Sequence, residues 1–256
     1  MSDAILAASR VSKSFGGVQA VRDVSLEVGQ GTIHAVIGPN GAGKTTFFNA
    51  LSGFYFPDEG RVTFRGQDVT RLSNWKRIQL GMSRTFQTPS IFRDLTVGEN
   101  LMIGVQAQEN VAFEMRVPTP SRRKQLDARV DELLGFVNLS RVKDRPVAEL
   151  SHGSQRLCEI AMSLSTNPVM VLLDEPMAGL AEAESARVIG VVRDLRDRLG
   201  LTVLFVEHNM RVVLSVAERI TVLDRGAKLA EGSPTEIAAD EAVREAYLGR
   251  EIIEHV

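Results

Sequence analysis

The chain has 256 residues, of which 44% are hydrophobic and 24% charged, and its formal net charge is −2. These values are typical of one large or two small soluble domains, and they provide no basic field that would indicate nucleic acid. Because Cys158 is the one cysteine, we expect no internal disulfide. Met1 to Arg10 shows no signal-peptide pattern, and no apolar run approaches the roughly 20 residues of a membrane span. We therefore expect the protein in the cytoplasm or at the cytoplasmic face of a larger assembly.

The N-terminal third is predicted to be rich in strands, with an antiparallel portion beside the main sheet. Two short apolar strands, the second at 24–28, flank a turn at 12–17 in which Phe15 precedes two glycines. Phe15 either is a partly buried hydrophobe that closes the hairpin or provides an aromatic platform for a nucleobase. These residues alone leave both interpretations open.

A phosphate-binding loop follows the predicted buried strand 33–37. The stretch Gly38-Pro39-Asn40-Gly41-Ala42-Gly43-Lys44-Thr45 has two glycines five apart followed by Lys and Thr, and a helix is predicted from Thr45 to Leu51. Glycines allow several backbone N–H groups to point at one anion, and the helix N-terminus adds partial positive charge. We therefore expect the loop and Thr46 to bind phosphates, Lys44 to reach the β/γ-phosphates and the Thr45 hydroxyl to hold Mg²⁺.

Short elements connect this helix to a region without strands. Turns are predicted at 57–60 and 66–68 around a strand at 61–64, and Ser73 is expected to cap a helix that ends at Leu80. The stretch 83–96 is predicted to be a loop, and 107–120 a flexible connection or a local insertion. Helices are predicted at 97–106 and from the basic cluster at 122–124 to residue 134. A third helix is predicted to open within 149–155 and to continue to residue 164.

The C-terminal part alternates strands with helices. Strands are predicted at 169–173, 201–206, 219–223 and 228–231, and helices at 182–199 and 234–248. This alternation predicts an α/β fold with a mostly parallel core sheet. We expect one domain over 1–256: 1–87 and 167–256 form the core, 88–166 an inserted helical subdomain, and 234–256 a C-terminal helical tail.

Polar side chains follow two strands of the predicted parallel sheet. Asp174 and Glu175 come directly after strand 169–173, and His208 comes after strand 201–206. Since open α/β sheets bind ligands at the carboxyl ends of their strands, Asp174 is predicted to coordinate Mg²⁺ and Glu175 to orient or deprotonate an attacking water. Gln87 offers an amide oxygen to Mg²⁺ or water, and His208 can reach the γ-phosphate, but the chemistry of the residues alone singles out neither.

Together and in this order, the motifs resemble those of the ATP-binding subunits of ABC transporters. The resemblance covers nearly the whole chain and implies a P-loop ATPase that uses ATP and Mg²⁺. The matching residues are Phe15 (aromatic A-loop), Gly38 to Thr45 (Walker A), Gln87 (Q-loop), Leu150 to Gln155 (signature), Asp174 (Walker B), Glu175 (catalytic carboxylate) and His208 (switch histidine).

The resemblance implies a site shared by two ATPase subunits, identical or related. Each ATP would lie on one subunit's Walker A loop and be closed over by the other's signature helix, at Ser151 and the Gly153 N–H. Closure would draw together two membrane permease subunits, and the face at 87–96, with Phe92 and Leu95, resembles the groove for a permease helix. The subunit would lie at the cytoplasmic face of the inner membrane. A periplasmic or extracytoplasmic substrate-binding protein would be an indirect partner, because it delivers substrate to the permeases, and no nucleic acid partner is expected.

Within that family, four stretches resemble the ATPases of branched-chain (hydrophobic) amino acid importers, at 84–92, 150–153, 207–210 and 246–249. Importers of urea, amides and other amino acids share these features. The motifs also fit lipopolysaccharide-type export. A non-transport ABC ATPase that acts on DNA or ribosomes is less favoured, because such proteins usually carry long coiled coils or two cassettes, and this sequence shows neither pattern nor a basic charge. A small-molecule kinase on a P-loop scaffold would leave the signature and the switch histidine unexplained.

Two departures from the family pattern concern the subunit interface. The signature has His152 where a glycine is usual and Ser154 where a glutamine is usual. Ala181 stands where an aspartate is usual, which removes one carboxylate from the expected interface. These changes leave the mechanism in place and affect the expected cooperativity between the two sites.

Overall fold

The computed structural model describes residues 4–85, 91–108 and 119–251, and side chains up to 247. Gln87 and most of the predicted connection at 107–120 lie outside these ranges. The strands are β1 (Ala4–Phe15), β2 (Val18–Gly29), β3 (Ile33–Ile37), β4 (Glu59–Phe64), β5 (Gln67–Asp68), β6 (Met82–Arg84), β7 (Met170–Asp174), β8 (Thr202–Val206), β9 (Arg219–Asp224) and β10 (Ala227–Gly232). The helices are α1 (Lys44–Ser52), α2 (Asn74–Gln79), α3 (Val97–Gln108), α4 (Pro120–Phe136), α5 (His152–Leu164), α6 (Glu182–Asp197), α7 (Met210–Val216), α8 (Pro234–Ala239) and α9 (Glu241–Glu251).

The strands form two sheets. The antiparallel sheet has the order β2-β1-β4-β5, and the second sheet has the order β10-β9-β3-β8-β7-β6. In the second sheet β9, β3, β8, β7 and β6 run parallel and β10 pairs antiparallel with β9. The predicted α/β fold, with an antiparallel portion, a mostly parallel sheet and a helical insertion, is therefore confirmed.

The first hairpin is longer than predicted. The expected turn at 12–17 is wrong, because β1 continues through Phe15 and only Gly16 and Gly17 turn, both with positive φ. The second strand begins at Val18 rather than at 24, and Phe15 pairs with Val18. Register shifts along this pair break the regular alternation of apolar residues, which hid its true length.

Three smaller predictions also need correction. Ser83 and Arg84, assigned to a loop, form with Met82 an edge strand parallel to β7. Gln67 and Asp68, assigned to a turn, pair with β4 after a turn at 65–66. Ser73 precedes α2, but its side chain makes no capping hydrogen bond. Within α2, the buried Arg77 side chain donates to the carbonyl oxygens of Ala50 in α1 and of Leu72 in the loop before α2.

The parallel sheet is buried on both faces. Alternate residues of β3 face different apolar clusters: Ile33 and Ile37 lie in the cluster that includes α3 to α6, and Val36 lies in the cluster that includes α1 and the antiparallel sheet. Two-sided burial explains the continuous apolar runs of β3, β7 and β8, all of whose residues are buried. Helices α3, α4 and α5 come between β6 and β7 in the chain.

Candidate nucleotide site

The loop between β3 and α1 is shaped by close backbone approaches. A Cβ at Gly38 would lie 2.2 Å from the Leu223 carbonyl oxygen, and one at Gly43 would lie 2.3 Å from the Ala20 carbonyl oxygen. Gly43 also has a φ of +92° and precedes α1 without a side-chain cap. The glycines therefore allow the loop to pack against β2 and β9, and the uncapped helix end is suited to an anion.

Lys44 folds back over this loop. Its Nζ donates to the carbonyl oxygens of Gly38 at 2.7 Å and Pro39 at 3.0 Å, and the side chain is buried. Thr45 and Asn40 are exposed, and Gly41 has a positive φ. Ala42 is buried, and its N–H donates to the Pro39 carbonyl while its own carbonyl accepts from Gly226, so the loop is closed on itself. Thr46, half-buried, lies in the first turn of α1.

Asp174 ends β7 with one carboxylate oxygen engaged. Its Oδ2 accepts a hydrogen bond from Arg84 Nη2 at 2.8 Å, and its backbone N–H donates to Thr85 Oγ1 at 3.3 Å. Its Oδ1 is buried and has no hydrogen-bond partner within the described residues. A carboxylate oxygen without a partner and an exposed Thr45 hydroxyl are hard oxygen donors, so these residues fit Mg²⁺. The predicted metal role of Gln87 lies outside the described residues.

Glu175 and His208 are brought together at the ends of β7 and β8. His208 Nδ1 lies 3.9 Å from Glu175 Oε2 and 3.8 Å from Glu207 Oε2. The histidine side chain is 54% exposed, whereas that of Glu207 is almost fully buried, with Oε1 accepting from the Met177 N–H at 3.0 Å. A carboxylate at the opening of the site beside an exposed imidazole can bind a water and an adjacent phosphate oxygen.

The backbone of Glu175 is held in an unusual conformation. Its φ is +45°, in the left-handed region that side-chain-bearing residues seldom adopt. Two contacts fix it: its N–H donates to the Val206 carbonyl at 3.0 Å, and its carbonyl accepts from Arg156 Nη2 at 3.2 Å. Arg156 is itself paired with the buried Glu159 at 2.6 Å, and burial raises the pKa of the Glu159 carboxyl.

Phe15 presents an aromatic surface to solvent. The ring is 43% exposed and makes an edge contact with Tyr55, with ring centroids 5.3 Å apart. Asp58 fixes the strand end that carries it, accepting from Lys13 Nζ at 2.6 Å and from the Ser14 N–H at 2.8 Å. Of the two interpretations left open by the sequence, an exposed platform fits this geometry better than a closed hairpin core.

The signature residues contact a carboxylate of their own chain. Ser151 is the N-cap of α5, and its Oγ accepts from the Ser154 N–H at 3.4 Å. The Gly153 N–H donates to Glu184 Oε1 at 3.2 Å. Hydrogen bonds from Ser151 and Gly153 lower the pKa of the Glu184 carboxyl. The two groups predicted to bind a γ-phosphate thus already hold an anion.

Sequence reasoning missed three of these side chains. Arg84, Glu184 and Glu207 all contact predicted site residues, yet none received a role. Glu207 had a usable signal, since it is a charged residue directly after the buried strand β8. Arg84 had none, because the short edge strand that it ends was not predicted. Glu184 had none, because its contact joins two helices that are 31 residues apart in the chain.

Most of the nucleotide site lies within a stretch that matches a known family. Residues 21–178 match the family described as ABC transporter. The chain belongs to the ABC transporter family. It is an ATP-binding subunit of the kind that couples ATP hydrolysis to transport, as its motifs predicted. Residues 227–252, from β10 into α9, additionally match the family described as branched-chain amino acid ATP-binding cassette transporter.

Individual relatives support the same assignment. The chain is 39% identical, over 97% of its length and 99% of the relative's, to the high-affinity branched-chain amino acid transport ATP-binding protein LivG of Salmonella typhimurium. It is 38% identical, over 96% of its length and 98% of the relative's, to the lipopolysaccharide export system ATP-binding protein LptB of Haemophilus influenzae. The resemblance to branched-chain amino acid transport ATPases is confirmed.

A solved structure shares the fold over almost all of both chains. The ADP conformation of MJ1267, an ATP-binding cassette of an ABC transporter, superposes with a TM-score of 0.86 and 34% identity, covering 96% of this chain and 99% of that one. That structure is described as an ADP conformation, so the similarity supports nucleotide binding by this chain. In the parts of the chain that the structure describes, no helix has the length and apolar character needed to cross a membrane.

Proposed function

We propose that this subunit powers the import of branched-chain or other hydrophobic amino acids. The observation that supports this substrate class most directly is the match of residues 227–252 to the branched-chain family, since the ATPase core is common to many transporters. The relative named LivG, similar over 97% of this chain, supports the same substrate class. The rival that a relative favours is lipopolysaccharide export, through the similarity to LptB.

At the nucleotide site, residues Gly38 to Thr46 bind the phosphates through backbone N–H groups, Lys44 and hydroxyls. Mg²⁺, held by Thr45, Asp174 and Gln87, would supply charge neutralisation between the phosphates. For Lys44 to reach them, its Nζ leaves the carbonyls of Gly38 and Pro39. Phe15 provides a stacking surface for the base.

For hydrolysis, Glu175 accepts a hydrogen bond or a proton from the attacking water, and His208 contacts the γ-phosphate. Their separation of 3.9 Å allows both to act on one small space. The left-handed backbone of Glu175, fixed by Val206 and Arg156, aims the carboxylate.

A second ATPase subunit, identical or related, completes each site with its own Ser151 and Gly153. Within one chain, the Walker A loop packs against Ala20, Leu223 and Gly226, whereas the signature end of α5 contacts Glu184 on α6. The two halves thus pack against different elements of the chain, which is compatible with a site shared between two subunits.

One of the two permease subunits docks on the loop before α3, and the other docks on the same loop of the second ATPase subunit. Phe92 is 53% exposed there, and the buried Asn100 holds its backbone, accepting from the Phe92 N–H at 2.8 Å and donating to its carbonyl at 2.9 Å. A rigid loop that presents an exposed aromatic is suited to receive a partner helix. With this docking the subunit would lie at the cytoplasmic face of the inner membrane. An extracytoplasmic binding protein would deliver the substrate to the permeases and so act on this subunit only indirectly.

Uptake by the reconstituted transporter tests the proposal. The subunit, its permeases and the cognate binding protein are assembled in proteoliposomes, and ATP-dependent uptake of radiolabelled leucine is compared with that of urea. Leucine uptake without urea uptake supports the proposal. Uptake of urea alone, or assembly only with a lipopolysaccharide-extracting permease pair, overturns the substrate assignment.

Two variants test the site in that assembly. Glu175→Gln should slow hydrolysis by about 100-fold or more while nucleotide binding persists, because it removes the base and keeps the shape. Lys44→Ala should weaken ATP binding, measured by calorimetry. Hydrolysis at the wild-type rate by E175Q, or unchanged nucleotide affinity of K44A, contradicts the respective role.

A further inference from the structure

Arg84, at the end of β6, is packed tightly between Asp174 and the helix that follows the phosphate loop. The Arg84 and Asp174 side chains are 4% and 2% exposed, with Nη2 and Oδ2 2.8 Å apart. Arg84 Nη1 donates to Ser52 Oγ, in the last turn of α1, at 2.5 Å. The guanidinium also lies over the Phe48 ring, 5.0 Å from its centroid. Arg84 is thus fixed on one side by α1 and on the other by the carboxylate.

This arrangement leaves the two oxygens of Asp174 in different situations. Oδ2 is occupied by Arg84, and Oδ1 is buried without a hydrogen-bond partner in the described part of the chain. A buried carboxylate oxygen without a partner is energetically costly, so an incoming cation or water would be stabilised there. The planar guanidinium determines which oxygen that is.

We propose that Arg84 is a positioning residue of the metal site, which fixes the Asp174 carboxylate so that Oδ1 is presented to the Mg²⁺ of the bound nucleotide. The inference rests on the proposed function, which places Mg²⁺ at Asp174. Side chains that orient a metal ligand contribute strongly to metal affinity without touching the ion. Arg84 acts in this way on a ligand that the sequence motif alone identifies.

The guanidinium fork is required for this role. Arg84 uses two different nitrogens to contact Ser52 and Asp174 simultaneously, and a lysine ammonium on a thinner stem does not reproduce that planar geometry. The substitution Arg84→Lys keeps the positive charge but loses the two-nitrogen contact that orients the Asp174 carboxylate. The substitution Arg84→Gln loses both the charge and that contact.

Calorimetric titration with ADP, in excess Mg²⁺ and in EDTA, measures the effect. The ratio of the two affinities is the gain from Mg²⁺. In Arg84→Gln this gain should fall by about 10- to 100-fold, the usual range for loss of a residue that orients a metal ligand, while affinity in EDTA stays at the wild-type value. Arg84→Lys should give an intermediate gain.

A second buried arginine provides the matched control. Arg77 contacts the same helix end, donating to the Ala50 carbonyl at 3.0 Å and to the Leu72 carbonyl at 3.1 Å, but it has no carboxylate partner at the site. Arg77→Gln should lower thermal stability and leave the gain from Mg²⁺ unchanged. A comparable loss of gain in R77Q would attribute the R84Q effect to general damage and overturn the proposal.

A double substitution separates orientation from a purely structural contact. Asp174→Asn removes the oriented ligand, so adding R84Q to D174N should cause no further loss of the gain from Mg²⁺. A gain that is unchanged or larger in both R84Q and R84K overturns the inference, since Arg84 would then be only a structural or repulsive charge. Absence of any Mg²⁺-dependent gain in the wild type would instead overturn the proposed metal site itself.

Discussion

At the scale of single residues, Glu184 is the side chain that changes most how the signature is understood. Its carboxylate accepts from the Gly153 N–H, the group expected to receive a γ-phosphate from the partner's nucleotide. A Cβ on Gly153 would lie 2.8 Å from Glu184 Cβ, so the helix ends approach closely there. Two anions at one helix N-terminus repel each other, and Glu184 therefore has to move or be compensated when the subunits close.

We expect Glu184→Gln to strengthen ATP-driven pairing of subunits. In the E175Q background, which retains ATP, the dimer dissociation constant from light scattering should fall by about two- to fivefold, because glutamine keeps the size and removes the charge. Glu182→Gln is the matched control, since Glu182 is an exposed acid in the same first turn. Weaker pairing in E184Q would show that Glu184 orients the signature instead.

At the scale of elements, β3 connects the stability of the sheet to the phosphate loop. It pairs in parallel with β8 and β9, and Gly38 follows its last residue, Ile37. His34 is its second residue, with Nε2 2.9 Å from Thr221 Oγ1. Burial lowers the pKa of His34 to about 4, against a partial raising effect of Glu231. The folded chain thus keeps this imidazole neutral where the unfolded chain protonates it.

His34 predicts an acid-sensitive fold. In the unfolded chain the histidine takes up a proton near pH 6.5 and in the folded chain only near pH 4, so its contribution to the free energy of unfolding is complete above pH 6.5 and decreases as the pH falls to 4. At about 1.4 kcal/mol per pH unit, the wild type should lose about 3 kcal/mol more than His34→Gln over that range. Urea denaturation at several pH values measures this.

The control for that measurement is His152→Gln, at an exposed position. It should lose stability with falling pH as the wild type does. Parallel pH profiles for the wild type and H34Q would contradict the role of His34.

Elements with a clear period or a clean apolar run were predictable from the sequence. The strands β3, β7 and β8 are fully buried and were found within one residue of their bounds. Helix α5 was identified from the spacing of its apolar residues, and α1 from its position after the glycine-rich loop. The edge strand β6 was missed because three residues paired on one side provide no period. The candidate site followed the same rule: Asp174 and Glu175 could be singled out at the end of a buried strand, whereas contacts between distant helices, as for Glu184, carry no local signal.

At the scale of the whole molecule, the two halves of the proposed site contact different elements of one chain. The Walker A loop adjoins β2 and β9, and the signature end of α5 adjoins α6. Two copies related by a two-fold axis, each with its loop facing the other's signature, would complete two equivalent sites. Ala181 provides no carboxylate at this proposed interface.

Complementation between two inactive variants tests that arrangement. Lys44→Ala damages the phosphate loop, and Ser151→Glu places a carboxylate at an exposed signature position, where it repels a γ-phosphate. In a mixed pair, the S151E loop meets the K44A signature, and this one site has both halves intact. Random mixing in equal amounts makes half the pairs mixed with one intact site of two, so about a quarter of the wild-type ATPase activity should return if the sites act independently. Each variant alone should be inactive. The measurement is made at a protein concentration at which the wild type hydrolyses ATP. If the mixture is then no more active than its components, two identical chains do not form the site.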